Sequence, residues 1–159
     1  MLKRDIAYLI FFASHLPIIY LVDTVPLQPQ WIQTSLSSQL RTFYVSTYRD
    51  KFFEPPTPAW FNAFIWMELI YHVPASIWAI WGLWKEHPLV PVHILIFGIQ
   101  AFVTSLTCLV EVWAWEDRSS SEKWNITSLY GPYVALGAYM AIDMMIRLKS
   151  QLMPKRKRE

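Results

Sequence analysis

The sequence predicts an all-α membrane protein: four spanning helices in a bundle, with a short amphipathic helix between the first two. Three observations carry this. Four apolar runs are long enough to cross a bilayer, at residues 6–25, 60–84, 89–113 and 129–148. The composition, 54% hydrophobic and 16% charged over 159 residues, is too apolar for an ordinary soluble domain of this size. Tryptophans 60, 66, 84, 113, 115 and 124 gather near the predicted span edges, as an interfacial aromatic belt does. Lipid offers backbone groups no partner, so runs this apolar must be helices.

The first run, 6–25, lacks a small-residue cleavage site and continues into Asp23 and Pro26, so it reads as a span and not as a removable signal. Pro17 inside it and Pro74 inside the second run predict local kinks. Residues 26–59 form a loop. Within it, 38–53 mixes Leu40, Phe43, Tyr44, Phe52 and Phe53 with Arg41, Arg49, Asp50 and Lys51, which reads as an amphipathic helix on the membrane surface or over the bundle. Glu54-Pro55-Pro56-Thr57-Pro58 then breaks it and fixes the start of the second span. The connection 85–88 is tight, so spans two and three form a hairpin. Residues 114–128 read as a second loop before the fourth span.

Basic residues set the orientation. Nine (Lys3, Arg4, Lys85, Arg147, Lys149, Lys155, Arg156, Lys157, Arg158) fall on one side and five (Arg41, Arg49, Lys51, Arg118, Lys123) on the other. That places both termini in the cytoplasm and the two longer loops in the lumen. Basic residues clustered only at membrane-flanking ends argue against nucleic-acid binding. Asn125-Ile126-Thr127 is a glycosylation sequon on the predicted lumenal side.

The functional residues are polar groups inside the spans. Glu68 lies about eight residues into the second span, about 12 Å below the surface at ~1.5 Å per residue. An ionised carboxylate there is costly unless it meets a cavity, a proton or a cation, so an intramembrane acid is a site candidate. Asp23 sits near the lumenal end of span one, and His15 lies eight residues deeper, level with Glu68. Thr104 reaches a similar depth from span three, and Tyr130 with Tyr133 enters from span four on one face. A lumen-proximal cavity explains the cluster; interhelical hydrogen bonds without a ligand are the competing reading. Glu68 and His72 share a face and could move a proton or simply bond each other. Asp143 and Arg147, also four apart, read as a snorkelling ion pair.

Other chemistry is not indicated. The four histidines lack metal-ligand spacing, the single Cys108 excludes an intrachain disulfide and a cysteine metal site, and no nucleotide, phosphate-loop or catalytic-triad motif is present. Cys108 reads as a buried thiol. The C-terminal run 155–159 carries Lys155 and Lys157 in the K-x-K-x-x pattern that coat proteins read to return membrane proteins to the endoplasmic reticulum; a polybasic lipid anchor is the alternative.

Three motifs then carry a resemblance over nearly the whole chain: Ser14-His15-Leu16-Pro17-Ile18 through Asp23; Glu54-Pro55-Pro56…Pro58-Ala59-Trp60-Phe61 through Glu68-Leu69; and Leu129-Tyr130-Gly131-Pro132-Tyr133. The chain resembles the sigma-2 receptor family of the EXPERA group, which also holds the emopamil-binding sterol isomerases. Its short loops look like the fungal efficient mitochondria targeting-associated branch.

The resemblance implies residues 1–150 as one transmembrane domain in the endoplasmic reticulum membrane, usually a homodimer, and 151–159 as a cytoplasmic tail. It implies a pocket for sterols or amphiphilic amines and no cofactor. It assigns Asp23 to the ligand's ammonium, Asp50 to a hydrogen bond with Asp23, Glu68 to the buried acid and Tyr133 to the pocket wall. Two acids in one dry site share a proton more cheaply than both ionise. Sterol isomerisation needs placed proton donors and acceptors. Those enzymes resemble a His-x-x-x-Glu helix, and this chain has the reverse order, Glu68-x-x-x-His72, with only Gln100, Thr104 and the peripheral Glu111 on span three. The expected function is therefore non-enzymatic ligand binding in lipid handling, with precursor sorting toward mitochondria as the alternative.

Overall fold

The computed structural model describes residues 3–153. Among these, every regular element is helical. Helix α1 runs Lys3–Asp23, α2 Ser35–Tyr48, α3 Ala59–Trp84, α4 Val90–Ala114 and α5 Ser120–Leu152. The four long helices are apolar enough to cross a membrane, and residues such as Ile10, Ile70, Val110 and Ile142 point outward from them. Helix α2 lies across one end of the bundle. The opposite end carries Lys3 and Met153.

Two of the long helices change pitch midway. In α1 the last turn, Ile19–Asp23, is a π turn, closed by the Thr24 N–H and hydroxyl both donating to the Ile19 carbonyl at 2.9 Å. In α3 the segment Glu68–His72 is a second π turn, with the Val73 N–H bonded back to the Glu68 carbonyl. Each lies close to a proline, Pro17 or Pro74, that removes a ladder donor. The predicted kinks are thus local widenings, and one acid sits on each: Asp23 and Glu68.

Helix α2 starts three residues before its predicted position, because Thr34 and Ser37 form a reciprocal cap. It ends at Tyr48, where Arg49 turns left-handed (φ 52°). Helix α5 begins well before residue 129. Ser119 and Glu122 cap it reciprocally, so the polar stretch predicted as a loop is its first turns. The sequon Asn125-Ile126-Thr127 therefore lies on a helix, with the Thr127 hydroxyl donating to the Lys123 carbonyl at 2.7 Å. The most extensive helix pair is α4 with α5. They cross at Gly98 and Gly137, where a Cβ on Gly137 would fall 2.7 Å from the Phe102 nitrogen.

Packing leaves a gap between two cores. Toward the terminal end, Tyr8, Phe12, Leu83, Ile94, Phe97, Met140 and Met144 fill the bundle. Toward the α2 end, Phe52, Phe53, Phe61, Ile65, Val112, Trp115 and Ile126 form an aromatic cap. Stacked Phe52 and Phe61 rings, 4.8 Å apart, bind the connector to α3. The cavity lies between these two cores.

At the terminal end the expected Asp143–Arg147 ion pair is present as part of a larger network. Asp143 is buried and meets Arg4 at 2.5 Å and the Tyr8 hydroxyl at 2.9 Å, while Arg147 bonds Asp5 at 2.6 Å. The Arg147 Nη2 also pairs with Asp143 at 2.9 Å. Sequence separation hid this network, because its members come from both ends of the chain.

Candidate ligand-binding cavity

A cavity of about 320 Å³ opens between α1, α2, α3, α4 and α5. Its polar lining is His15 and Asp23 from α1, Tyr44 and Tyr48 from α2, Glu68 and His72 from α3, Thr104, Ser105 and Cys108 from α4, and Tyr130 and Tyr133 from α5. Phe53, Phe61, Phe64 and Ile65 supply apolar wall. Seven of the eight residues singled out from the sequence thus line one space: Asp23, Glu68, His15, His72, Thr104, Tyr130 and Tyr133. The π turns explain the convergence. Across Glu68–His72 the widened turn keeps both polar side chains inward while Leu69 and Ile70 stay outside.

Asp23 and Glu68 are electrostatic neighbours across the cavity. Among the described residues neither forms a salt bridge, and the Glu68 Oε2 has no hydrogen-bond partner. Arg41 is the nearby cation: its field acts on Asp23, while its guanidinium donates to the Val22 carbonyl at 2.9 Å and lies over the Phe53 ring. Burial lowers the Arg41 pKa, against the opposing pull of Asp23.

The eighth residue, Asp50, stands one layer out and does not line the cavity. No hydrogen bond joins it to Asp23 among the described residues. Its Oδ1 accepts the Phe52 N–H at 3.0 Å, capping the turn Lys51–Phe53. Its Oδ2 accepts the Tyr44 and Tyr130 hydroxyls at 2.9 and 3.0 Å. Asp50 therefore orients two wall residues. Burial raises its pKa above the ordinary carboxylate range, although all three donors act the other way. Burial, then the Asp50 charge, likewise raises the Tyr44 phenol.

Helix α2 and the segment 49–54, which bring Tyr44, Tyr48 and Phe53 to the cavity, form its lid, and a polar latch ties that segment to residues 117–122. Arg118, buried in the loop before α5, makes two bonds to the Glu54 carboxylate at 2.9 and 2.8 Å and one to the Arg49 carbonyl at 2.9 Å. Lys51 pairs with Asp117 at 2.9 Å and Arg49 with Glu122 at 2.5 Å. Sequence reasoning used Arg118 only for orientation; no local spacing signals its partners. It also missed Tyr44, Tyr48, Ser105 and Cys108 as wall. The helical offsets Tyr44/Tyr48 and Thr104/Cys108 are the signal that could have found them.

A multi-pass helical bundle with a lidded cavity carrying buried acids is the class that fold and site define. A family profile described as EXPERA (EXPanded EBP superfamily) matches residues 36–144, and the chain belongs to this family. It is 41% identical over 92% of its length to "Efficient mitochondria targeting-associated protein 19" of Schizosaccharomyces pombe, covering 78% of that protein. It is also similar to "Sigma intracellular receptor 2" of Macaca fascicularis (24% identity; 86% of this chain, 84% of the relative) and of Homo sapiens (23%; 90% and 89%).

Proposed function

We propose that this chain is a non-enzymatic protein of the endoplasmic reticulum membrane that binds a sterol or cationic amphiphile in the cavity between α1, α2, α3, α4 and α5 and acts in lipid handling. The carrying observation is a ring-lined cavity of about 320 Å³ with two acids, Asp23 and Glu68, that form no salt bridge to a cation of the described chain. In a low-dielectric site such a pair favours a ligand that brings positive charge or a hydroxyl. The aromatic walls add apolar and cation–π attraction. The name of the two receptor relatives supports ligand binding.

In this reading both termini are cytoplasmic, α2 is lumenal, the active form is a homodimer, and Lys155 with Lys157 is read by coat proteins. Those two lysines lie outside the described residues. We read no catalysis into the site. Asp50 is engaged by three donors and stands behind the wall, which leaves Glu68 and Asp23 adjacent but no acid on the α4 side of the cavity. A second reading, assistance to mitochondrial precursor targeting, is favoured by the name of the fission-yeast relative and is compatible with ligand binding.

Photo-crosslinking with a clickable sterol in membranes tests the proposal. Wild type is expected to label saturably, and Asp23→Asn and Glu68→Gln, each checked for folding, to lose most of that labelling. Equal labelling of all three, or labelling that excess sterol does not compete, would refute the role of the acids.

A further inference from the structure

The cavity wall includes His15 from α1 and His72 from α3, whose ring nitrogens the proposed function does not use. Ser76, one turn beyond His72 on the α3 stripe of Glu68, is buried behind that wall. Among the described residues the His15 Nδ1, the His72 Nε2 and the Ser76 Oγ have no hydrogen-bond partner. His15 is 5% exposed, His72 4% and Ser76 0%. Buried polar atoms almost always find partners, and an unmet one costs about 1–3 kcal/mol.

The surroundings are otherwise aromatic. Phe11 stacks on His15 at 5.1 Å and Phe97 packs on His72 at 4.7 Å. Beyond them Phe12 and Phe97, both fully buried, close the floor. The His15 and His72 ring centres lie 6.5 Å apart. That is too far for the rings to bond each other, and it suits one oxygen bridging them with bonds of about 2.9 Å. Asp23 lies eight residues along α1 from His15, about 12 Å at 1.5 Å per residue.

We infer that the closed end of the cavity is a second polar subsite, where His15 and His72 receive a hydroxyl or carbonyl oxygen at the far end of an amphiphile. The amphiphile's first polar group lies at Asp23, eight residues along α1 from His15, so this inference rests on the proposed function and narrows its ligand class. The preferred occupant has two polar ends about 12 Å apart and an apolar body between them. A ligand with one polar end leaves the histidines unmet or bridged by water.

Two probes separate these cases: N,N-dimethyldecylamine and the same amine with a terminal hydroxyl. Each competes against the clickable sterol on the purified full chain. In wild type the hydroxylated amine is expected to compete about tenfold better than the plain one. In His15→Leu and His72→Leu, each checked for folding by thermal unfolding, the ratio between the two amines falls to within about twofold. His15→Asn, which keeps a hydrogen-bonding group near the Nδ1 position, retains the preference. The same ratio in wild type and both leucine variants, or no preference in wild type, overturns the subsite. Failure of both amines to compete in wild type refutes instead the ligand role of Asp23 and Glu68, and the subsite with it.

Discussion

The two ends of the bundle treat buried acids in opposite ways. At the terminal end, Asp5 and Asp143 are matched by Arg4 and Arg147 at 2.5–2.9 Å, with the Tyr8 hydroxyl completing the site. At the α2 end, Asp23 and Glu68 face each other across a cavity, and Arg41 acts from beyond salt-bridge range. The same residue type is structural where the chain supplies its counter-charge. Where it does not, the acid is held for something else. Removing one partner from a matched set strands a buried charge, whereas neutralising an unmatched acid relieves a desolvation cost.

The largest effect should come from breaking the matched end. Asp143→Ala leaves Arg147 with Asp5 alone and the buried Tyr8 hydroxyl without its acceptor, and should destabilise the fold by about 3 kcal/mol. Glu68→Gln should change stability by less than about 1 kcal/mol while abolishing sterol labelling. Thermal unfolding of both variants in one detergent compares them directly. Equal losses would erase the distinction between the ends.

An intermediate effect is expected at the latch. Arg118→Ala frees the Glu54 carboxylate and the Arg49 carbonyl and should cost about 1–3 kcal/mol. Because it loosens the lid and leaves the cavity acids intact, hydrogen exchange should accelerate in α2 and around Lys51–Phe53 and stay unchanged across the Gly98–Gly137 crossing. Uniform acceleration through the whole bundle would contradict a local latch.

The smallest effect is a pH slope. Burial raises the folded-state pKa of Asp50, so the folded chain binds that proton more readily than the unfolded one. The stability it contributes is full below the ordinary carboxylate range, near pH 4, and is lost as pH rises through the raised value. Wild type should therefore lose more stability than Asp50→Asn on going from mildly acidic to neutral pH. Parallel curves would show that Asp50 keeps an ordinary pKa.

Much of this was legible in the sequence. Hydropathy located the four spans, because lipid imposes one rule on every residue of a run. Depth along each helix then placed Asp23, His15, Glu68, Thr104, Tyr130 and Tyr133 in the same half of the bundle, and the four-residue offset from Glu68 added His72. The start of α5 was missed although Ser119 and Glu122 spell a capping box, since hydropathy does not register a polar first turn. The π turns were not legible: one extra residue per turn leaves no mark on composition, and Pro17 and Pro74 signal distortion without its type. The Asp50 contact with Tyr130 and the Arg118 contacts with Arg49 and Glu54 join residues 64 to 80 positions apart, beyond any local pattern.

The central claim is that the α2-end cavity is the ligand site and the terminal end is not. The terminal end provides a fair control, because it has its own cleft of about 420 Å³ beside Arg4, Asp5 and Arg147. Mapping the adducts of a photoreactive sterol by peptide mass spectrometry decides between them. The account predicts adducts on cavity-wall residues, such as those near Phe64, Ile65 and Cys108, that a cationic amphiphile competes away. Adducts confined to the terminal cleft, or spread over outward residues such as Ile10 and Ile142, would contradict it.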